Sequence, residues 1–476
     1  MQPISIANTF CLTGALLIAN VALGAEDNAS SRPPNIVFIL ADDLGWGDLG
    51  CYGHPHIKTP HLDRLAAQGT LFTQFYVNGS VCSPSRTAFL TGQFPARHRI
   101  HGHLAQHQQN EARGMPNWLD PSVPLLTRQL KAAAYAISHF GKWHLGNGEG
   151  APDPGAYSID VHRTVETNGP GYEDKSDPYF RASSTGLFVD EAIGFIEAHR
   201  DAPFYINLWT LIPHATLHPT DEQIQPYRQF GPGKVPYQGA AQIYYGSVTA
   251  MDAELGRLFA KLDELRIADN TIVLFSSDNG PEDIHVHNAS HSGIGSPGPF
   301  RGRKRSLYEG GVRVPFIVRW PGHVPAGRVD EDSIVSAVDF LPTLCKLAGA
   351  SLPDNYQADG EDVSDILTRA SRPRSKPLLW EWRFRIAGYP IHHSPMLSIR
   401  DGKWKLLINP DGSRAELYDI TKDLMEQHNM AAENGHVVAT LSERLLRWHE
   451  ALPEGPVEPA AGTVKYGWPK SPRAKP

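Results

Sequence analysis

The chain has 476 residues, 41% of them hydrophobic, and a formal net charge of −7. That length buries a large core and suits one big domain with a smaller one beside it. The mild negative charge excludes a general nucleic-acid binder, which carries a basic stripe, and no long apolar span follows the N-terminus, so the body calls for no membrane.

Residues 1–25 read as an export signal. An apolar run over 10–23 leads to Ala22-x-Gly24, a small-residue cleavage site, although no Lys or Arg precedes it. A short membrane anchor is the alternative; export would place the protein in a periplasm or outside the cell. Cleavage removes Cys11 and leaves Cys51, Cys82 and Cys345, too few for a disulfide framework and wrongly spaced for zinc. Whether Cys51 and Cys345 pair is open. After a polar linker at 28–34, short β-branched or aromatic runs at 35–40, 135–140, 204–209, 271–276 and 314–320 alternate with helical periodicity at 187–199 and 244–262. That alternation predicts an α/β fold with a mostly parallel sheet covered by helices on both faces. Gly, Pro and Asp enrichment predicts long loops at 146–177 and 280–302. A Pro/Arg/Ser patch at 371–376 marks a boundary, so the catalytic domain is expected over 33–375 and a small α+β domain over 376–476. The latter has a hairpin signal, Pro410-Asp411-Gly412, between runs at 404–409 and 416–419, then a helix over 435–450.

Polar residues follow four of these strands. The first ends in Asp42-Asp43, the 135–140 run in Lys142 and His144, the 204–209 run leads to His214, and the 271–276 run ends in Asp278-Asn279. In open parallel sheets, ligands gather beyond the carboxyl ends of strands. A lone Asp pair is more often a turn that bonds local N–H groups. Two matched pairs beside cationic partners favour a metal instead, and three carboxylates with an amide suit calcium or magnesium.

Cys82-Ser83-Pro84-Ser85-Arg86 opens an apolar, helix-compatible stretch, with Cys82 near the N-cap and Arg86 one turn on. A helix N-terminus attracts an anion, and Arg86 can pair with it. A phosphatase-type cysteine would need five residues before its Arg, and here three intervene. A buried structural cysteine is the commonest fate of this residue type. The segment 97–103, rich in Arg and His, reads first as an exposed loop and second as a substrate subsite, with His103 its candidate.

Cys82-Ser83-Pro84-Ser85-Arg86 with Leu90-Thr91-Gly92 resembles the formylglycine signature of the type I sulfatases. Gly141-Lys142-Trp143-His144 resembles that family's second signature. The likeness continues through Ala41-Asp42-Asp43-Leu44-Gly45, Ser277-Asp278-Asn279-Gly280, Tyr308-Glu309-Gly310-Gly311 and Asp339-Phe340-Leu341-Pro342-Thr343, in consistent order from residue 35 to about 429. Together with Trp380-Glu381-Trp382 it resembles N-acetylgalactosamine-6-sulfatase-like members. The resemblance implies an alkaline-phosphatase-like fold, a large mixed sheet between helices with a small C-terminal sheet domain. It implies that a formylglycine-generating maturation enzyme oxidises Cys82, and that calcium is held by Asp42, Asp43, Asp278, Asn279 and the modified Cys82. Lys142 and Lys304 would clamp the sulfate, Arg86 would hold the hydrated aldehyde and His144 would bond one of its hydroxyls. His214 would protonate the leaving group, with His218 its rival because the proline usual after the family's histidine is displaced. The expected substrate is a sulfated carbohydrate, galactose or N-acetylgalactosamine sulfate first. A phosphodiester or phosphonate hydrolase of the same superfamily and a non-catalytic binder of sulfated glycans are the alternatives.

Overall fold

The computed structural model describes residues 32–464, apart from 147, 166–176, 235–238 and 287–288. The export-signal reading of 1–25 and part of the 146–177 loop therefore lie outside the described residues. The described residues from 33 onward cluster as one unit.

Among the described residues, nine strands form the main sheet: β1 (Asn35–Ala41), β2 (Thr70–Tyr76), β3 (Ala136–Lys142), β4 (Val161–Val165), β5 (Phe204–Trp209), β6 (Thr271–Ser277), β7 (Arg313–Arg319), β8 (Arg328–Asp330) and β9 (Val335–Ser336). Their spatial order is β4-β3-β5-β1-β6-β7-β2-β8, with β9 beside β2. β4, β3, β5, β1 and β6 run parallel. β7 runs antiparallel to both β6 and β2, so the sheet is mixed and mostly parallel, as expected.

β1 shows why both faces are covered. Ile36, Phe38 and Leu40 enter one apolar cluster with Phe89 and Phe340, while Val37, Ile39 and Ala41 enter another with Val189, Val248 and Leu255. Side chains alternate across a strand, so a strand apolar at every position needs helices on each side. The helix Cys82–Thr91 and the helix Phe340–Ala348 supply one layer. The longer helices Phe180–His199 and Ala240–Glu264 supply the other, extending the periodic segments toward their N-termini.

A second, antiparallel sheet contains β10 (Leu378–Glu381), β11 (Leu397–Asp401), β12 (Trp404–Ile408) and β13 (Glu416–Asp419), and the helix Gly435–Glu450 follows. The hairpin closes where anticipated: Gly412 N–H donates to Asn409 O at 2.9 Å, and Gly412 has φ 82°, a value glycine reaches without a side-chain clash. The 146–177 segment differs from the single loop expected of it, for it contains β4 and a short 3₁₀ turn at Pro154–Tyr157. β4 lies at the sheet edge and is half exposed, so its Val-His-Arg-Thr-Val sequence lacks the apolar signature of its neighbours.

The two sheets are joined by buried charge. Glu309 accepts from Tyr76 Oη at 2.6 Å and from Lys405 Nζ at 2.8 Å, and Arg313 lies 3.2 Å away. Lys405 also meets Glu426 at 3.1 Å, and Glu426 Oε2 accepts from the Glu309 backbone N–H at 2.7 Å. Burial, aided by Glu309 and opposed by Lys405, raises Glu426 to about 7. Lys405→Ala would leave two carboxylates buried without their ammonium, and a stability loss of about 3–5 kcal/mol is expected. Urea unfolding followed by tryptophan fluorescence measures it.

Candidate active site

Adjacency in the sheet assembles the site. β3, β5, β1 and β6 are consecutive and parallel, so their carboxyl ends open side by side. Asp42 and Asp43 leave β1, Asp278 and Asn279 leave β6, Lys142 ends β3, and His214 follows β5. The chain turns sharply here. Asp43 has φ 68° and His144 φ 53°, in the left-handed region that side chains other than glycine avoid. Such strain persists only where surroundings impose it, and it clusters at functional sites.

Each carboxylate has a cationic partner from elsewhere in the chain. Lys142 Nζ lies 2.8 Å from both oxygens of Asp42, and Lys304 Nζ 2.7 Å from both of Asp43. Arg86 donates to Asp278 Oδ2 from Nη2 at 2.7 Å and from Nε at 3.2 Å, and from Nη1 to Lys142 O at 2.8 Å. All six side chains are buried. Cys82 is the first residue of the helix Cys82–Thr91, with Val81 before it in extended conformation, so residue 82 stands at a helix N-terminus as anticipated. Its Sγ lies 3.6 Å from Asp42 Oδ1.

A cavity of about 110 Å³ lies over these groups, walled by Asp43, Cys82, His103, His144, His214 and Lys304, with Glu282, Ser292 and Arg305 beside them. Lys142 and Arg86 stand behind the wall, on Asp42 and Asp278. His214 Nδ1 donates to Ala215 O at 2.7 Å, which leaves Nε2 toward Asp43 Oδ2 at 3.8 Å. His218 is exposed, packs on Tyr179 at 4.8 Å, and is absent from the cavity wall. His144 Nε2 donates to Leu104 O at 2.8 Å, and its ring centre is 6.4 Å from that of His103. The 97–103 segment is thus divided: Arg97 and Arg99 face solvent, while His101 is buried and His103 reaches the cavity.

Burial pushes the Cys82 thiol up to about 12, against the pull of Lys142 and Lys304, so an unmodified cysteine here is a protonated thiol and a poor nucleophile. Burial alone would raise Asp43, but Lys304, His214 and Lys142 hold it below the usual carboxylate range. Burial drives His144 and His214 well below the ordinary imidazole range, aided by Lys142 at the first and Lys304 at the second. Burial, with Arg113 and Lys304, takes His103 down to about 3.

The donor set suits a metal ion. Asp42, Asp43, Cys82 and His214 each present a ligand atom within 4.8 Å of the others. Asn279 Nδ2 is spent on Asp43 Oδ1 and Gly280 O, at 2.8 Å each, while its buried Oδ1 has no hydrogen-bond partner. An orphaned amide oxygen beside two carboxylates fits a hard divalent cation. Asp278 is more committed, since Oδ1 also accepts from the Asp43 N–H at 3.1 Å.

Two charged wall residues escaped the sequence reading. Arg305 grips Glu282 with two hydrogen bonds of 2.5 and 2.9 Å. Arg305 closes the basic run that supplied Lys304, and such a run ordinarily marks a solvated face; only the fold shows that Arg303, Lys304 and Arg305 turn inward. Glu282, four residues beyond Asp278, had no signal of its own.

A cavity with a cationic wall, a helix N-terminus and paired acids suits an anionic ester, and the comparisons with known proteins agree. The sequence pattern described as Sulfatase matches residues 34–350, and that described as N-sulphoglucosamine sulphohydrolase, C-terminal, matches 300–451. Arylsulfatase A of Homo sapiens is 32% identical over 453 residues, spanning 84% of each chain. N-acetylgalactosamine-6-sulfatase of Sus scrofa is 36% identical over 397 residues, spanning 77% of this chain and 72% of that protein. The structure of Ps i-CgsB in complex with k-i-k-neocarrahexaose superposes with a TM-score of 0.74 at 26% identity, covering 88% of this chain and 93% of that one. The chain belongs to the sulfatase family. It is a sulfuric ester hydrolase, with the alkaline-phosphatase-like fold and small C-terminal sheet expected.

Arg86 is a planar two-pronged donor, and lysine cannot reproduce its three contacts. Arg86→Lys is expected to lower turnover on the order of 100-fold, because Asp278 and the Lys142 backbone lose their common brace. Steady-state rates on an aryl sulfate, with circular dichroism to confirm folding, check this.

Proposed function

We propose that this enzyme removes sulfate from carbohydrate, galactose or N-acetylgalactosamine sulfate first, using residue 82 as formylglycine on a calcium site. The observation that carries the reading is the meeting of residue 82, Asp43 and Lys304 on the wall of one small cavity, with a carboxylate oxygen of Asp42 within 4.8 Å of the ligand atoms of residue 82 and Asp43. The names of the relatives support the sugar: N-acetylgalactosamine-6-sulfatase recurs at 34–36% identity. A neocarrahexaose occupies Ps i-CgsB.

Asp42, Asp43, Asp278 and Asn279 would hold calcium, which when bound draws electron density from the sulfate oxygens and from residue 82. Residue 82 as a hydrated aldehyde would offer one hydroxyl oxygen to sulfur as the S–O bond to the sugar breaks, and a second hydroxyl whose proton loss would expel sulfate and restore the aldehyde. The chain's own groups do the rest. Lys304, on the wall beside residue 82, neutralises charge that grows on the ester, and Lys142 reinforces the field through Asp42. Arg86 fixes Asp278 and the end of β3. His144 is placed to bond a hydroxyl of residue 82. His214 presents Nε2 to the cavity and is the proton donor to the leaving oxygen. Its low basicity reflects burial beside Lys304, and an arriving anion opposes that by favouring the imidazolium.

The site sits on an exported protein in this reading, matured by a formylglycine-generating enzyme. No helix among the described residues is long and apolar enough to cross a membrane.

Cys82→Ala is expected to abolish turnover while leaving the fold intact, and peptide mass spectrometry across residue 82 is expected to find the aldehyde in active preparations alone. Equal activity in matured and unmatured samples would refute the chemistry. Chelation should silence the enzyme reversibly, with calcium restoring it. Aryl sulfate should be cleaved faster than an aryl phosphodiester; the opposite order transfers the chain to the phosphodiester or phosphonate hydrolases.

A further inference from the structure

Residues 101–104, outside any helix or strand, form a strap with contacts on two sides. Toward the cavity, His103 is part of the wall. The Leu104 N–H donates to Ser83 Oγ at 2.9 Å, next to residue 82, and Leu104 O accepts from His144 Nε2 at 2.8 Å. Away from it, the wholly buried His101 ring meets Glu381, the last residue of β10, through Nδ1. Gly102 lies on the Phe384 ring, where an added Cβ would come within 2.8 Å of a ring carbon. Glu381 is itself held: Arg383 Nε donates to its Oε2 at 3.0 Å, and His449 Nδ1 lies 3.5 Å from the same oxygen.

Neither His101 nor Glu381 is on the cavity wall. Burial alone would raise Glu381, but the hydrogen bonds from His101 and His449 and the charge of Arg383 hold it well below the usual carboxylate range. A buried carboxylate hydrogen-bonded to His101 and Arg383, with His449 at 3.5 Å, is a stiff anchor, because charge-assisted hydrogen bonds are short and directional.

We propose that Glu381 is a positioning residue for the hydrolysis: through His101 it fixes the 101–104 strap, and so sets where His103 and His144 stand relative to residue 82. The small C-terminal sheet thereby supplies a brace for the reaction although it contributes no residue to the cavity wall. The proposal rests on the reading of residue 82 and His144 as parts of the reacting centre. It concerns geometry alone, since Glu381 exchanges no proton with substrate.

The test uses the full-length matured enzyme. Glu381→Gln keeps the shape and removes the charge. It is expected to lower kcat roughly 10- to 100-fold with KM nearly unchanged, the cost of a misplacement near 1 Å. The imidazole signals of His103 and His144 in a long-range 1H–15N spectrum should move, while those of surface His323 stay. Gly102→Ala, whose methyl meets Phe384, should reproduce both effects, and Phe384→Leu added to it should reverse them. That rescue separates positioning from general destabilisation, and it decides the matter if Glu381→Gln does not fold. Folded variants with unaltered kcat and unmoved His103 and His144 signals overturn the proposal, as does failure of Phe384→Leu to rescue. Were residue 82 not the nucleophile, Cys82→Ala would remain active, whereas the imidazole shifts would still report on the strap.

Discussion

Two carboxylates, adjacent in sequence and closed off from water, govern this molecule. Asp42 and Asp43, buried side by side, need positive charge at contact distance. That charge comes from Lys142 and Lys304, 100 and 261 residues away in the chain. The sheet must therefore set β3 and the segment before β7 against the end of β1 with ångström accuracy, and the sheet order follows from that need as much as from apolar packing. Arg86 and Asp278 repeat the pattern one layer deeper. The resulting array carries cations and anions in near balance, so an incoming sulfate oxygen meets a field already oriented for it.

Much of this was legible in the residues. Strands buried on both faces announce themselves as unbroken apolar runs, and β1, β5 and β6 fall where those runs lie. Asp42, Asp43, Asp278 and Asn279 stood out because polar residues at several strand ends imply a shared rim. Lys304 was recoverable only through resemblance, for nothing in an Arg-Gly-Arg-Lys-Arg run says which cation turns inward. In the main sheet β2, β4, β8 and β9 were missed for plain reasons: Thr and Gln interrupt the apolar run of β2, β4 is a polar edge strand, and the others are three and two residues long. Glu282 and Arg305 were missed because a buried ion pair between distant segments leaves no periodic mark. His103 was picked out only as the candidate of a second-ranked subsite reading, because its Arg- and His-rich neighbours gave the whole segment an exposed look.

The positions of strain follow the same logic. Asp43 and His144 adopt left-handed backbone angles directly after β1 and β3, where a relaxed chain would carry the side chains past the rim. Bending back aims them into the cavity. The cost, of order 1–3 kcal/mol each, is met by the hydrogen bonds and ion pairs that hold the bent conformation.

The cluster around Glu309 has a bearing on how such enzymes can be recombined. Its members come from both sheets: Tyr76 and Glu309 from the large one and its connections, Lys405 and Glu426 from the small one. A chimera that grafts a foreign C-terminal segment after residue 377 would inherit half of a matched set of charges. Compatible donors must therefore carry the complementary ammonium and carboxylate in register, which makes the small sheet a keyed part rather than an interchangeable one.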